Sequence, residues 1–167
     1  HLPDEIERFV VRWQPSKAKK FQDDMQKVVF EMMAGVKFLI MNIEAFSSER
    51  GKKAAYYFLR KNEDNIMIID ESTTIKNRKA NRTKNIIDVS KFAKYKRILT
   101  GSPVTKSPMD LFSQCGFLDT MALGQSSYFA FQNRYAVVQR KTFGSRSFND
   151  IVGYRRLDEL NGILTGF

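Results

Sequence analysis

The residues best suited to chemistry in this chain are two adjacent carboxylates, Asp70 and Glu71. They close an apolar run, Ile66-Met67-Ile68-Ile69, and are followed by the hydroxyls of Ser72, Thr73 and Thr74. A carboxylate leaving a buried strand can hold Mg2+ near a phosphate, through water in the case of Asp70, because Mg2+ keeps several waters and takes only one or two carboxylates. The next carboxylate, Glu71, can orient or deprotonate an attacking water, a contribution of ~10²–10⁴ in rate. The same residues also suit a plainer role, in which Asp70 or Ser72 caps a helix starting near Thr74. A second polar turn, Thr100-Gly101-Ser102-Pro103, closes Arg97-Ile98-Leu99. Its hydroxyls can bond a neighbouring acidic loop and report its state, or simply form a turn.

Composition narrows the chemistry. The 167 residues include one His, which is residue 1, and one Cys, Cys115. That excludes a Cys/His zinc site and an intrachain disulfide framework, and it leaves a Ser-His-Asp triad only a terminal His. No apolar run approaches the ~18–20 residues of a membrane span, and the first residues lack the pattern of a secretory signal. The formal charge is +10, from 28 Lys+Arg against 18 Asp+Glu, which points to a polyanionic partner. From Lys76 to Arg97 nine basic residues face one acidic residue, Asp88, so that segment alone carries +8. It is read either as a phosphate-contacting surface, with Lys76, Arg78, Lys79, Arg82 and Lys84 foremost, or as a solvated helix face. The 14 Phe and six Tyr are read mainly as core packing, and Cys115 as inert packing.

The elements that must position these residues alternate in type. Short apolar runs at Phe9–Trp13, Val36–Met41, Ile66–Ile69 and Arg97–Leu99 read as strands buried on both faces. Between and after them, helical patterns cover Phe21 to Met33 with Gly35 as C-cap, Glu49–Lys61, Arg78–Phe92, a segment starting at Pro108, Ser126–Val138 and Arg156–Leu164. Gln139–Asp150 is polar with little periodicity and reads as a loop. The fold class is therefore α/β, an open parallel sheet flanked by helices. Ligands bind such sheets beyond the carboxyl ends of the strands. There the three strongest strands deliver Asn42, then Asp70–Thr73, then Thr100–Ser102.

In combination these stretches resemble a known family. Ile68-Ile69-Asp70-Glu71-Ser72-Thr73-Thr74-Ile75-Lys76-Asn77 is similar to the DExx box of the Swi/Snf-related helicase-like ATPases of superfamily 2, and Arg97 to Pro103 is similar to the hydroxyl motif that follows it. Met109-Asp110-Leu111-Phe112-Ser113, Phe117-Leu118-Asp119 and Phe131 to Tyr135 match the order of later family stretches, and Phe38 to Phe46 an earlier one. The resemblance covers roughly residues 5–165. Ser72-Thr73 stands where the family usually has Ala-His, Ser102 where it has Thr, and Thr105-Lys106 where it often has Gln-Asn.

The resemblance implies a partial RecA-like lobe of a DNA helicase or translocase with Mg2+ and ATP as cofactors. It implies Asp70 and Glu71 as the hydrolytic carboxylates. Thr73, Thr100, Gly101 and Ser102 would couple the ATP site to a DNA surface, and the segment from Asn42 to Ser47 would touch the DNA backbone independently of sequence. Arg140, Lys141 and Arg146 are further basic candidates. No Gly-x-x-x-x-Gly-Lys-[Ser/Thr] loop is present: Gly51-Lys52 is followed by Lys53 and lies in a helical pattern. The expectation is thus the latter part of a first motor lobe, residues 1–138, followed by a basic loop and short helix, 139–167. The phosphate-binding segment and a second lobe of the same protein would be its partners. The protein is expected to be monomeric and off the membrane, cytoplasmic in a microbe or phage and nuclear in a eukaryote. The alternatives are a non-catalytic nucleic-acid-binding module and a Mg2+-dependent nuclease built on Asp70-Glu71.

Overall fold

The computed structural model describes residues 6–31, 34–104 and 106–165. His1, Met32, Met33 and Thr105, used in the sequence reading, lie outside them. The order is β1 (Arg8–Arg12), α1 (Lys19–Phe30), β2 (Val36–Ile40), a 3-10 turn (Ile43–Ser47), α2 (Glu49–Lys61), β3 (Ile66–Asp70), a 3-10 turn (Ser72–Ile75), α3 (Asn81–Ser90) and β4 (Tyr95–Leu99). A third 3-10 turn (Pro108–Asp110) leads into α4 (Leu111–Leu118), α5 (Tyr128–Tyr135), β5 (Ala136–Phe143), β6 (Arg146–Tyr154) and α6 (Leu157–Leu164). This is the mixed α/β order of a partial RecA-like lobe. β1 and β2 pair in parallel from Arg8↔Val36 to Arg12↔Ile40, with α1 as the crossover. β3 pairs with β4, and β5 with β6.

Local chemistry explains the best-matched element. Helix α2 spans the expected Glu49–Lys61 because its ends are specified. The Ser48 hydroxyl accepts the Gly51 amide at 3.1 Å, Glu49 lies in the first turn, and Arg60 and Lys61 lie in the last, each complementing the helix dipole. Gly51 is buried in this helix, and a Cβ there would come within 2.1 Å of the Ala45 carbonyl oxygen. Its glycine serves a close approach of backbone to backbone, not a phosphate cradle.

The chain forms two compact units, 6–31, 34–69 and 77–97 in one, and 70–76, 98–104 and 106–165 in the other. In the first, Val28 and Val29 of α1, Ala55 and Leu59 of α2, and Ile86 and Val89 of α3 are buried, at the helical spacing that the sequence shows. In the second, Met109, Leu111, Cys115, Phe131, Tyr135 and Leu160 form one core, with the rings of Phe112, Phe131 and Tyr135 in tilted contact in series.

Two expectations change. The strands are not buried on both faces: Val11 and Ile69 are buried, whereas Val10, Phe38, Ile40, Ile66, Ile68 and Leu99 are exposed. Among the described residues, nothing packs on that side of these pairs closely enough to bury them. The expected polar loop over 139–150 is instead the body of an antiparallel hairpin, β5–β6, closed by Gly144-Ser145 with Gly144 at φ +59°. Positive φ at the first position of a two-residue loop suits the twist of a hairpin and selects glycine. The helix expected to reach Val138 therefore stops at Tyr135, and the boundary expected after residue 138 falls within β5.

Candidate functional site

Asp70 is the last residue of β3 and is exposed, its Oδ1 accepting the backbone N–H of Glu71 at 3.0 Å. Glu71 follows in the left-handed region, φ 53° and ψ 60°. A non-glycine residue there costs roughly 1–2 kcal/mol. Such strain persists only where the surroundings impose it, and it clusters at functional positions. The turn that imposes it is hydrogen-bonded: Thr74 donates to the Glu71 carbonyl oxygen through its amide and its Oγ1, each at 2.9 Å. Ile75 at its end is fully buried. The capping alternative is not what forms. Glu71 holds the N-cap position of Ser72–Ile75, and no side chain caps it.

Ser72 points inward. It is fully buried, and its Oγ donates to Oε1 of Gln114 on α4 at 2.6 Å. Gln114 is itself fully buried, and its Nε2 donates to the carbonyl oxygens of Pro103 at 2.7 Å and Asp110 at 3.0 Å. One amide side chain therefore ties the acidic box to the turn after β4. The sequence reading missed Gln114. Its one available signal was a polar residue on the apolar stripe of a short helix. The hydroxyls expected to make such a link act locally instead: Thr100 Oγ1 accepts the Ser102 amide at 3.3 Å, and Ser102 Oγ donates to the Val104 carbonyl oxygen at 3.2 Å. Thr73 is half-buried, and its carbonyl oxygen accepts the Lys76 amide at 3.3 Å. Gly101 is exposed, and a Cβ on it would meet nothing within 4 Å.

In the first unit, Asn42, Ser47 and Arg82 converge on one residue, Glu44, Asn42 at its backbone amide and the other two at its carboxylate. Asn42 Oδ1 accepts the Glu44 amide at 2.9 Å, Ser47 Oγ donates to Glu44 Oε2 at 3.3 Å, and Arg82 donates to Glu44 Oε1 at 2.7 Å. Asn85 of α3 donates to the Phe46 carbonyl oxygen at 2.7 Å, fixing the Ile43–Ser47 turn against α3. The expected backbone-contact segment and part of the basic segment thus share one surface. Lys79 and Lys84 are exposed, while Lys76 and Arg78 are half-buried. Not all of the +8 is available to a ligand. Asp88 takes Lys52 at 2.7 Å and Lys91 at 3.2 Å, which holds its carboxyl below the ordinary value, and Asp64 takes Lys94 at 2.7 Å.

Asp70 can serve as a Mg2+ ligand, being an exposed carboxylate at a strand end that already accepts a backbone amide. No group of three His, Cys, Asp or Glu side chains lies together among the described residues, and a Mg2+ held mainly by phosphate and water needs none. Cys115 is buried, and burial pushes its thiol up to about 11, so it is packing rather than a nucleophile.

The model of the SNF2-related domain matches residues 2–158. The chain belongs to this family. Its members include the superfamily 2 helicase-like proteins that the box and the hydroxyl turn resemble. The chain is 33% identical over 100 residues to the DNA annealing helicase and endonuclease ZRANB3 of Bos taurus, covering 60% of this chain and 9% of that protein. It is 32% identical over 117 residues to the Drosophila melanogaster SWI/SNF-related matrix-associated actin-dependent regulator of chromatin subfamily A-like protein 1, covering 66% of this chain and 15% of that protein. To human ZRANB3 it is 25% identical over 162 residues, 97% of this chain and 14% of that protein. The chain therefore spans only a small part of the length of these relatives. No solved structure gives a significant match.

Proposed function

We propose that this SNF2-family chain is part of an ATP-dependent DNA translocase or helicase motor. In that reading Asp70 holds Mg2+ through water, and Glu71 orients or deprotonates the attacking water.

 The observation that supports it best is the strained Glu71 at the end of β3, in a turn whose next residue, Ser72, is bonded through Gln114 to the hydroxyl motif. Phosphoryl transfer is catalysed mainly by positioning and charge stabilisation, so a carboxylate held at a fixed place matters more than a reactive one. Bound ATP and Mg2+ would supply the phosphoanhydride and the charge that neutralises it. The chain's own residues hold the carboxylates and pass the state of the box to the turn after β4. Thr73, Thr100, Gly101 and Ser102 belong to that coupling as the exposed and half-buried neighbours of the Ser72–Gln114–Pro103 link.

The DNA-facing surface is the one built around Glu44, with Asn42, Ser47 and Arg82, extended by Arg78, Lys79 and Lys84; Lys76, in the other unit, is a separate candidate contact. The phosphate-binding loop and the second lobe would come from the rest of a longer protein. The rival reading is a basic nucleic-acid-binding module without ATPase activity. ATP turnover by the intact protein, with and without DNA, separates the two. The motor reading expects turnover that rises on adding DNA, and the binding module expects none in either condition.

A further inference from the structure

The β5–β6 hairpin is longer than any other strand pair among the described residues and is rooted firmly. At its base Tyr135 and Ala136 are buried, and the Tyr135 carbonyl oxygen accepts the Arg155 amide at 2.9 Å. The Arg155 guanidinium also donates to the carbonyl oxygens of Asn133 and Arg134, which closes the end of α5. Glu159 of α6 accepts Arg134 Nε at 2.6 Å, Arg134 NH2 at 2.9 Å and the Tyr135 hydroxyl at 2.7 Å. Ile151 packs against the core of its unit.

The register assigns the faces of this ribbon. Val138↔Ile151, Arg140↔Asn149 and Thr142↔Ser147 share the face that carries Ile151, and Gln139↔Asp150, Lys141↔Phe148 and Phe143↔Arg146 share the other. The second face is a checkerboard of aromatic and basic side chains. Phe143 is 84% exposed and Phe148 51%. Lys141 is held there by Asp150 at 2.5 Å, whereas Arg146 is exposed and meets no carboxylate among the described residues; Arg140, also exposed, lies on the first face. The strands hold three basic residues and one acidic. Two phenyl rings left exposed beside cations lie outside the core of their unit, and a purely electrostatic phosphate contact has no use for them. Bases of an unpaired strand offer the complementary surface: π-faces for the rings and phosphates for the cations.

We infer that the outer face of the β5–β6 hairpin, the one carrying Phe143, Phe148 and Arg146, binds an unpaired DNA strand, with Phe143 and Phe148 stacking on bases and Arg146 meeting the phosphates. That the strand is DNA rests on the motor reading, while the stacking site rests on the hairpin alone. The test is fluorescence anisotropy with the full chain and three labelled probes: an oligo-dT, the matching oligo-U and a blunt duplex. Phe143→Ala/Phe148→Ala is expected to weaken oligo-dT binding by about tenfold or more while changing duplex binding little. Arg146→Ala is expected to weaken oligo-dT binding and to flatten its salt dependence. Circular dichroism should show both variants folded, since all three side chains are exposed.

Unchanged oligo-dT affinity in the folded Phe variant would overturn the inference, as would absence of oligo-dT binding by the unaltered chain. Tighter binding of oligo-U than of oligo-dT would overturn the assignment to DNA. Sedimentation showing a dimer that the Phe variant dissolves would also overturn it, by making the rings a contact between copies. None of these outcomes touches ATP turnover, so the motor reading stands or falls separately.

Discussion

Glu71 concentrates the argument at the residue scale. Its left-handed backbone is set by a hydrogen-bonded turn, and the residue after it is bonded to Gln114 in a dry interior. Gln114→Ala would leave the buried Ser72 hydroxyl and the Pro103 carbonyl oxygen without this partner. Unsatisfied buried groups cost about 1–3 kcal/mol each, so a loss of that order in urea-unfolding free energy is expected. Gln114→Glu should not restore it, because a carboxylate cannot donate to Pro103. The sequence made Asp70 and Glu71 legible because two carboxylates ending an apolar run are unusual. It hid Gln114, whose importance comes from a contact 42 residues away in the chain. It also hid the strain at Glu71, since glutamate has no preference for that conformation.

The element that governs the second unit is the polar clamp under the hairpin. Arg134 holds the Glu159 carboxyl below its ordinary 4.5, with the Tyr135 hydroxyl adding to the effect. Glu159 raises Arg134 in turn, and burial together with Glu159 pushes the Tyr135 phenol up. A carboxyl whose folded value is depressed binds fewer protons in the folded than in the unfolded chain. Its stabilisation is complete above about pH 5 and is lost as pH falls through the depressed folded value. Glu159→Gln should therefore unfold at lower urea than the unaltered chain at neutral pH, and the gap should narrow as pH falls below the ordinary carboxyl range. A gap that persists unchanged in acid would show that the clamp is not ionic. The hairpin itself was partly legible. Gly144-Ser145 between β-branched and aromatic residues is a two-residue turn signal, but the Arg, Lys, Gln and Asn around it masked the alternation that marks a strand. Helix α2, by contrast, was legible to the residue because caps and end charges agree with its apolar spacing.

For the whole molecule the charge of +10 is a statement about partners, and the structure apportions it. Part is spent internally on Asp88, Asp64 and Glu44, so the effective contact with DNA should involve fewer cations than the composition suggests. Duplex affinity should fall with salt at a slope of ~0.9 per phosphate neutralised. Measured by anisotropy across a salt series, that slope should correspond to fewer phosphates than the nine basic residues of Lys76 to Arg97, and Lys79→Ala/Lys84→Ala should reduce it. A flat salt series would contradict an electrostatic face. The α/β class was legible from alternating strands and helices. The open side of the strand pairs was not, because an apolar run reads the same whether one face or both are covered.

The most direct measurement of the central claim is ATP turnover of Glu71→Gln in the intact motor, with DNA affinity measured alongside. The substitution keeps size and shape and removes only the carboxylate. The account predicts a fall of about a hundredfold or more in turnover with DNA affinity largely unchanged. Turnover within about twofold of the unaltered protein would contradict it, because Glu71 would then have no part in activating the water.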